Sequence, residues 1–300
     1  MRPDRGPFAA MVLAFTPPEN NFEYGTRDVV PRSSLSLSMR FVSSAILRIV
    51  AIAMPVVSNM SANPGSFTAF KDGETFTYRA SWGIFFHAGE IVISAHEEKG
   101  ADGAVVFRIT TDTATRGIVR DLFAYNNRAE GVIDQKTGRL LQVSEKGSDG
   151  KHFTDNETTF DYPRMTASYV DRAHPDRTAK VPIPPGDPID LISALVETRD
   201  WNLKPGERRN VLVNFGNDFF PLALCAEGYD DVRTPLGEFQ TLVLVPRMEQ
   251  NPKGIFKRGG EFKVWISQEG QKLPVKMQLR LKFGVATLYL TDYRKEGPPP

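Results

Sequence analysis

The chain has 300 residues, 41% of them hydrophobic and 24% charged, which is enough apolar material for a core at near-average globular charge. A net charge of +1 excludes bulk electrostatic attraction to nucleic acid or to an anionic surface. The single cysteine, Cys225 in the apolar run Pro221-Leu-Ala-Leu-Cys-Ala226, excludes an internal disulfide and a cysteine-rich zinc site.

Residues 1–38 show no sustained periodicity and read as a disordered preface or as upstream of the true start at Met39. From Met39 the character changes. A basic stretch from Arg40 to Arg48 precedes the nine-residue apolar run Ile49-Val-Ala-Ile-Ala-Met-Pro-Val-Val57, and the small and polar residues Ser58-Asn-Met-Ser-Ala62 follow. This order predicts a secretory signal peptide over 39–62. The run is too short for a transmembrane span, which needs about 20 residues. No cysteine lies near the cleavage zone, so the product is expected to be soluble, periplasmic and not a lipoprotein. Without residues 1–62 the chain carries 31 Lys/Arg against 32 Asp/Glu.

Residues 63–300 read as a single β-rich domain. Period-two alternation recurs in Thr75–Arg79, Ile91–Ala95 and Val105–Thr111. Asp134-Gln-Lys-Thr-Gly138 and Gly147-Ser-Asp-Gly150 are turns, the second leading to His152–Phe160 and its partner Met165–Val170. Short turns at this spacing argue for an antiparallel meander, because parallel strands need long crossovers. The Asp187–Arg199 segment breaks the pattern. Asp187 suits an N-cap and Pro188 the first helical position, while Ile192, Leu195 and Val196 share one face, predicting a helix of about three turns that plugs or caps the sheet. Strands resume at Asn210–Phe215, Phe219–Leu224 and Gln240–Val245, with Thr234-Pro-Leu-Gly-Glu-Phe239 as a turn. Phe262–Ser267, Pro274–Lys282 and Val285–Tyr293 complete the set. In the second of these, Val275, Met277, Leu279 and Leu281 face one way, and Lys276, Gln278, Arg280 and Lys282 the other. The expected fold is mainly β: a large antiparallel twisted sheet or incomplete β-barrel of about a dozen strands with one short helix.

The order Gly73-Glu-Thr-Phe-Thr-Tyr78, Ala88-Gly-Glu90, Asp187-Pro-Ile-Asp-Leu-Ile-Ser-Ala194, Thr234-Pro-Leu-Gly-Glu-Phe239, Val264-Trp-Ile-Ser267 and Leu273-Pro-Val275 resembles domain of unknown function 3108. The resemblance covers Gly73 to Tyr293. It implies a bacterial, exported, β-rich protein and supplies no catalytic residues.

Motifs for chemistry are sparse. His87, His96, His152 and His174 form no His-x-His or His-Glu-x-x-His pattern, so no metal site is expected. There is no Gly-x-Ser-x-Gly elbow, no Ser-x-x-Lys and no phosphate loop, so no catalytic residue or cofactor is assigned. The strongest local signal is charge. Lys263 and Trp265 share a strand face, and antiparallel pairing with the next strand sets them beside Lys276, Arg280 and Lys282. A basic face with an aromatic ring suits an anionic or amphipathic lipid or an anionic glycan. The expected function is therefore non-enzymatic: binding or carrying such an envelope molecule at Lys263, Trp265, Lys276, Arg280 and Lys282. The alternatives are an assembly factor that binds another envelope protein, and a hydrolase.

Overall fold

The computed structural model describes residues 66–295 apart from 101–102, 151, 250–251, 253–255, 257–258 and 282–283. The segments 1–38 and 39–62, with the expected signal peptide, lie outside the described residues.

Fifteen strands form one sheet. The first arm is β1 (Thr75–Trp82), β2 (Phe85–Lys99), β3 (Val105–Thr115), β4 (Asn126–Asp134), β5 (Leu140–Ser148), β6 (Phe153–Asp161), β7 (Thr166–Asp171) and β8 (Ala179–Pro182). The second arm is β9 (Pro188–Ile189), β10 (Arg208–Phe215), β11 (Asp218–Thr234), β12 (Gly237–Arg247), β13 (Glu261–Ser267), β14 (Pro274–Leu281) and β15 (Gly284–Arg294). Each arm is a meander in which sequence neighbours pair. β1 and β15 join the arms at the middle of the sheet, antiparallel from Thr75↔Arg294 to Trp82↔Ala286. β8 and β9 are left as the two edges.

The meander arises as the alternation predicts. On β14, Val275, Met277 and Leu279 are buried, while Arg280 is exposed. The register shifts at Thr77/Tyr78 in β1 and Ala226/Gly228 in β11 are bulges, which bend a strand and tighten its twist. The bent sheet rolls until its arms touch. Thr158 Oγ1 on β6 donates to the carbonyl of Gly216 in the β10–β11 turn (2.9 Å). The Phe160 and Phe219 rings lie 6.4 Å apart. Arg139 meets Asp187 at 3.1 Å. The result is the expected incomplete barrel, with fifteen strands in place of about a dozen.

Two short α-helices interrupt the described sheet, one more than expected. α1 (Gly117–Leu122) bridges β3 and β4, anchored by buried Val119, with Ile118 and Leu122 exposed on its other face. α2 (Leu191–Glu197) follows β9. Asp190, not Asp187, is its N-cap, accepting from Ile192 N (3.0 Å) and Ser193 N (3.0 Å). The later start has a physical cause: Pro188 and Ile189 pair parallel with Leu212 and Val213 of β10, which holds them extended. Beyond Glu197 the chain tightens into a 3₁₀ turn over Thr198–Asp200. Among the described residues no helix is long and apolar enough to cross a membrane.

Candidate functional site

The inner side of the rolled sheet lines a partly open cavity of about 240 Å³. Its apolar wall is built by the inward-facing residues of alternating strands, among them Ile91 and Ile93 of β2, Ile109 of β3, and Met277 and Leu279 of β14. Leu191, Ile192 and Leu195 of α2 also line it, so this helix, termed the plug, turns apolar side chains toward the inside of the sheet. Such a volume exceeds the ~150 Å³ that holds benzene in a dry protein cavity and falls just short of the ~300 Å³ at which drug-sized ligand sites begin.

The opposite wall is polar. Tyr125, Asn127, Glu145, Asn156, Thr158 and Asn214 line it, from β5, β6, β10 and the start of β4. Register explains the grouping, since Glu145 stands across from Asn156 and Val143 across from Thr158. Asn127 Nδ2 donates to Tyr125 Oη (2.8 Å) and to the Glu145 carboxylate. Burial, aided by Glu145, pushes the Tyr125 hydroxyl far above the usual phenol range, so it stays protonated. Asn214 Nδ2 donates to Gly216 O (3.1 Å) and Asp218 O (3.3 Å). The amide oxygens of Asn127 and Asn214 are buried without a partner. Asp190 reaches the wall from the tip of α2, where burial raises its pKa, and its Oδ2 accepts from Ser193 Oγ. No lysine, arginine or histidine lines the cavity among the described residues.

The residues expected to bind an anion lie on the other side of the sheet. Lys263 and Trp265 of β13 do sit beside Lys276 and Arg280 of β14, with Trp265 opposite Lys276 and Glu261 opposite Arg280. The Lys276 ammonium stands 4.1 Å from the Trp265 ring centroid and 5.8 Å from that of Tyr289. Burial lowers its pKa, against the pull of Asp230. Trp265 is 5% exposed and donates its Nε1–H to Asp230 (2.9 Å), so it is packed where a solvated polar face was expected. Acids stand among the cations: Lys263 meets Glu227 at 3.2 Å and Glu261 at 3.3 Å, and Arg280 meets Glu261 at 3.7 Å. The Lys282 side chain lies outside the described residues.

Sequence reasoning missed the polar wall and a buried ion pair beneath the plug. Arg199, just after α2, meets Glu74 through both guanidinium nitrogens (2.9 and 3.0 Å), with the Glu74 side chain fully buried. Arg199 also donates to Ala69 O (2.9 Å) and Gln271 O (3.2 Å), and Tyr293 Oη donates to Glu74 (2.6 Å). The network ties the plug to β1, β15 and the β13–β14 turn. The Glu145–Asn127 contact between β5 and β4 gave no signal, since pattern reading turns polar residues outward. Arg199 and Glu74 are 125 residues apart and had none.

The chain is similar to known proteins in sequence and in fold. Among solved structures, the chain is similar to a β-barrel-like protein of domain of unknown function DUF1849 from Brucella abortus, at 6% identity and a TM-score of 0.49 over 75% of this chain and 98% of that one. It is also similar to a Bacteroides fragilis protein with a YmcC-like fold, at 11% identity and a TM-score of 0.31 over 77% of this chain and 100% of that one. No curated protein matches. The model of the family described as Protein of unknown function (DUF3108) matches residues 77–291, most of the sheet, and the chain belongs to that family.

Proposed function

We propose that this protein is exported through residues 39–62 and binds a small amphipathic envelope molecule in the cavity of its rolled sheet, without catalysing a reaction. The carrying observation is the cavity itself: about 240 Å³, walled by aliphatic side chains on one side and a polar strip on the other. At ~25 cal/mol per Å² of apolar surface removed from water, a short hydrocarbon segment gains several kcal/mol there. The volume suits one tail segment or ring and is too small for a whole two-chain lipid. Basic residues 40–48 followed by the apolar run 49–57 support export. The cluster Lys263, Trp265, Lys276 and Arg280, with Lys282 beside it in sequence, remains a candidate outer-face contact for an anionic lipid or glycan.

Native mass spectrometry of the protein recovered from the periplasmic fraction tests the reading. The expected result is an added mass that disappears on denaturation and is absent from Ala129→Phe, which fills the cavity from β4. A wild-type protein that is reproducibly free of added mass overturns it.

A second reading, docking to another envelope protein, is favoured by the exposed side chains Ile84 (81%), Phe86 (84%), Ile118 (65%) and Leu122 (75%). Ile84 in the β1–β2 turn and Phe86 at the start of β2 neighbour α1, since Arg116 N donates to Ala88 O (3.0 Å). Crosslinking in cells distinguishes it: a partner captured by wild type and lost in Phe86→Ser/Leu122→Ser, with cavity occupancy unchanged, supports docking.

A further inference from the structure

We infer that the cavity selects a ligand whose polar end donates hydrogen bonds, a hydroxyl or an ammonium group, and rejects a carboxylate or phosphate. The inference rests on the proposed cavity binding and names the class of ligand for it.

The polar wall is biased toward accepting. The carboxylate residues along the cavity are Glu145, half-buried on β5, Asp190 at the tip of α2, and Glu130 on β4, which Arg108 pairs at 3.1 Å, and no cationic side chain lines the cavity itself among the described residues. The amide donors of Asn127 and Asn214 are spent, which leaves the Asn156 amide and the Tyr125 hydroxyl as donors among the wall residues named above. Asn127 Nδ2 is held by Tyr125 and Glu145, and Asn214 Nδ2 by the carbonyls of Gly216 and Asp218. Both corresponding amide oxygens are left unpaired. Asn214 is only 3% exposed, and an unpaired acceptor at that depth is costly unless something donates to it. These groups are contiguous along the wall. Glu145 faces Asn156, Thr158 lies two residues further along β6, and Thr158 Oγ1 and Asn214 Nδ2 share the carbonyl of Gly216. A hydroxyl or ammonium group placed against this strip finds acceptors, and an ammonium also finds the Glu145 charge. An anion finds a like charge in a space with low dielectric and no counter-ion, the arrangement that most disfavours ionisation.

The cations expected to bind an anionic ligand, Lys263, Lys276 and Arg280, are across the sheet and do not line the cavity. Any anion they attract is held on the outer face, so selection inside and outside is separable.

The test uses three probes with one tail, octylamine, 1-octanol and octanoate, titrated calorimetrically into the intact protein at neutral pH. Octylamine and octanol are expected to bind at least about tenfold more tightly than octanoate, the discrimination that one hydrogen bond to a charged acceptor provides. Glu145→Gln is expected to narrow the octylamine–octanoate gap several-fold and to leave octanol within about twofold. Octanoate binding as tightly as octylamine overturns the inference and leaves the cavity reading standing. A gap unchanged in Glu145→Gln overturns it as well, because the selection then arises elsewhere. If wild type binds none of the three, the cavity reading itself fails. The comparison among probes on wild type needs no variant to fold.

Discussion

Glu74 has no access to solvent, and its charge is tolerable only because Arg199 meets both carboxylate oxygens while Tyr293 and the backbone N–H of Lys71 donate to it as well. Removing one partner of such a pair leaves a buried charge behind, which costs ~3–5 kcal/mol. Arg199→Met is therefore expected to lower the unfolding free energy by that order, read as a fall in the urea midpoint, and adding Glu74→Gln to recover part of the loss. A single variant with an unchanged midpoint would show that the pair contributes nothing net. Glu197, two residues earlier, behaves differently. Burial, opposed by Arg209 and reinforced by Asp190 and Asp200, raises its pKa from 4.5 to about 7. The native state then binds the proton more tightly than the unfolded chain, so stability is lost as pH rises from about 4.5 to about 7 and stays low above. Glu197→Gln removes that dependence. Its Tm is expected to match wild type near pH 5 and to exceed it at pH 8, and a variant with the lower Tm at pH 8 would contradict the assignment.

The plug is the element where packing departs furthest from local sequence. A Cβ on Gly131, on the inner face of β4, would stand 2.8 Å from Asp190 Oδ2 and 3.4 Å from its Cγ. The cap of α2 is therefore seated directly on a strand that must lack a side chain there. Gly131→Ala is expected to cost ~1–3 kcal/mol by overpacking. Asp190→Ala, which costs ~1 kcal/mol through the lost cap, is expected to add little once Gly131→Ala is present. Full additivity in chemical denaturation would mean the two positions do not touch. Asp187-Pro188 carries the stronger local start signal, yet it lost to Asp190 because a two-residue ladder with β10 claims Pro188 and Ile189. That ladder depends on residues more than twenty positions away. Elsewhere the alternation was sufficient: Val275, Met277 and Leu279 turn inward as their spacing requires. Trp265 was misplaced because period two gives a face but not its cover, and here Lys276 and Asp230 supply the cover. The polar wall was illegible for a related reason. Pattern reading assigns polar residues outward, and only the contact between the two arms turns Glu145, Asn156 and Asn214 into the lining of an interior.

Across the molecule, the two ends of the described sheet meet at its middle. β1 and β15 pair although their residues are more than 200 positions apart, and each has a second partner, β2 and β14. The edges are weak by comparison: β8 has four residues paired to β7 alone, and β9 has two paired to β10. Opening free energies should follow this order, because a central strand is released only when both arms come away. Amide exchange is expected to be slowest in β1, β2, β14 and β15 and fastest in β8 and β9. Early exchange at β1–β15 would mean that the arms separate as independent units. The cavity draws its walls from both arms, β2 to β6 on one side and β10 with β13 to β15 on the other. A molecule bound there is therefore linked to the closed form of the whole barrel rather than to one arm. At a concentration 100 times its dissociation constant it would add ~2.7 kcal/mol to the global stability. Its signature would be slower exchange in both arms together. Protection confined to the first arm would place the ligand on the outer surface of that arm, whereas protection confined to β13 and β14 would move it to the outer face that carries Lys263, Trp265 and Lys276.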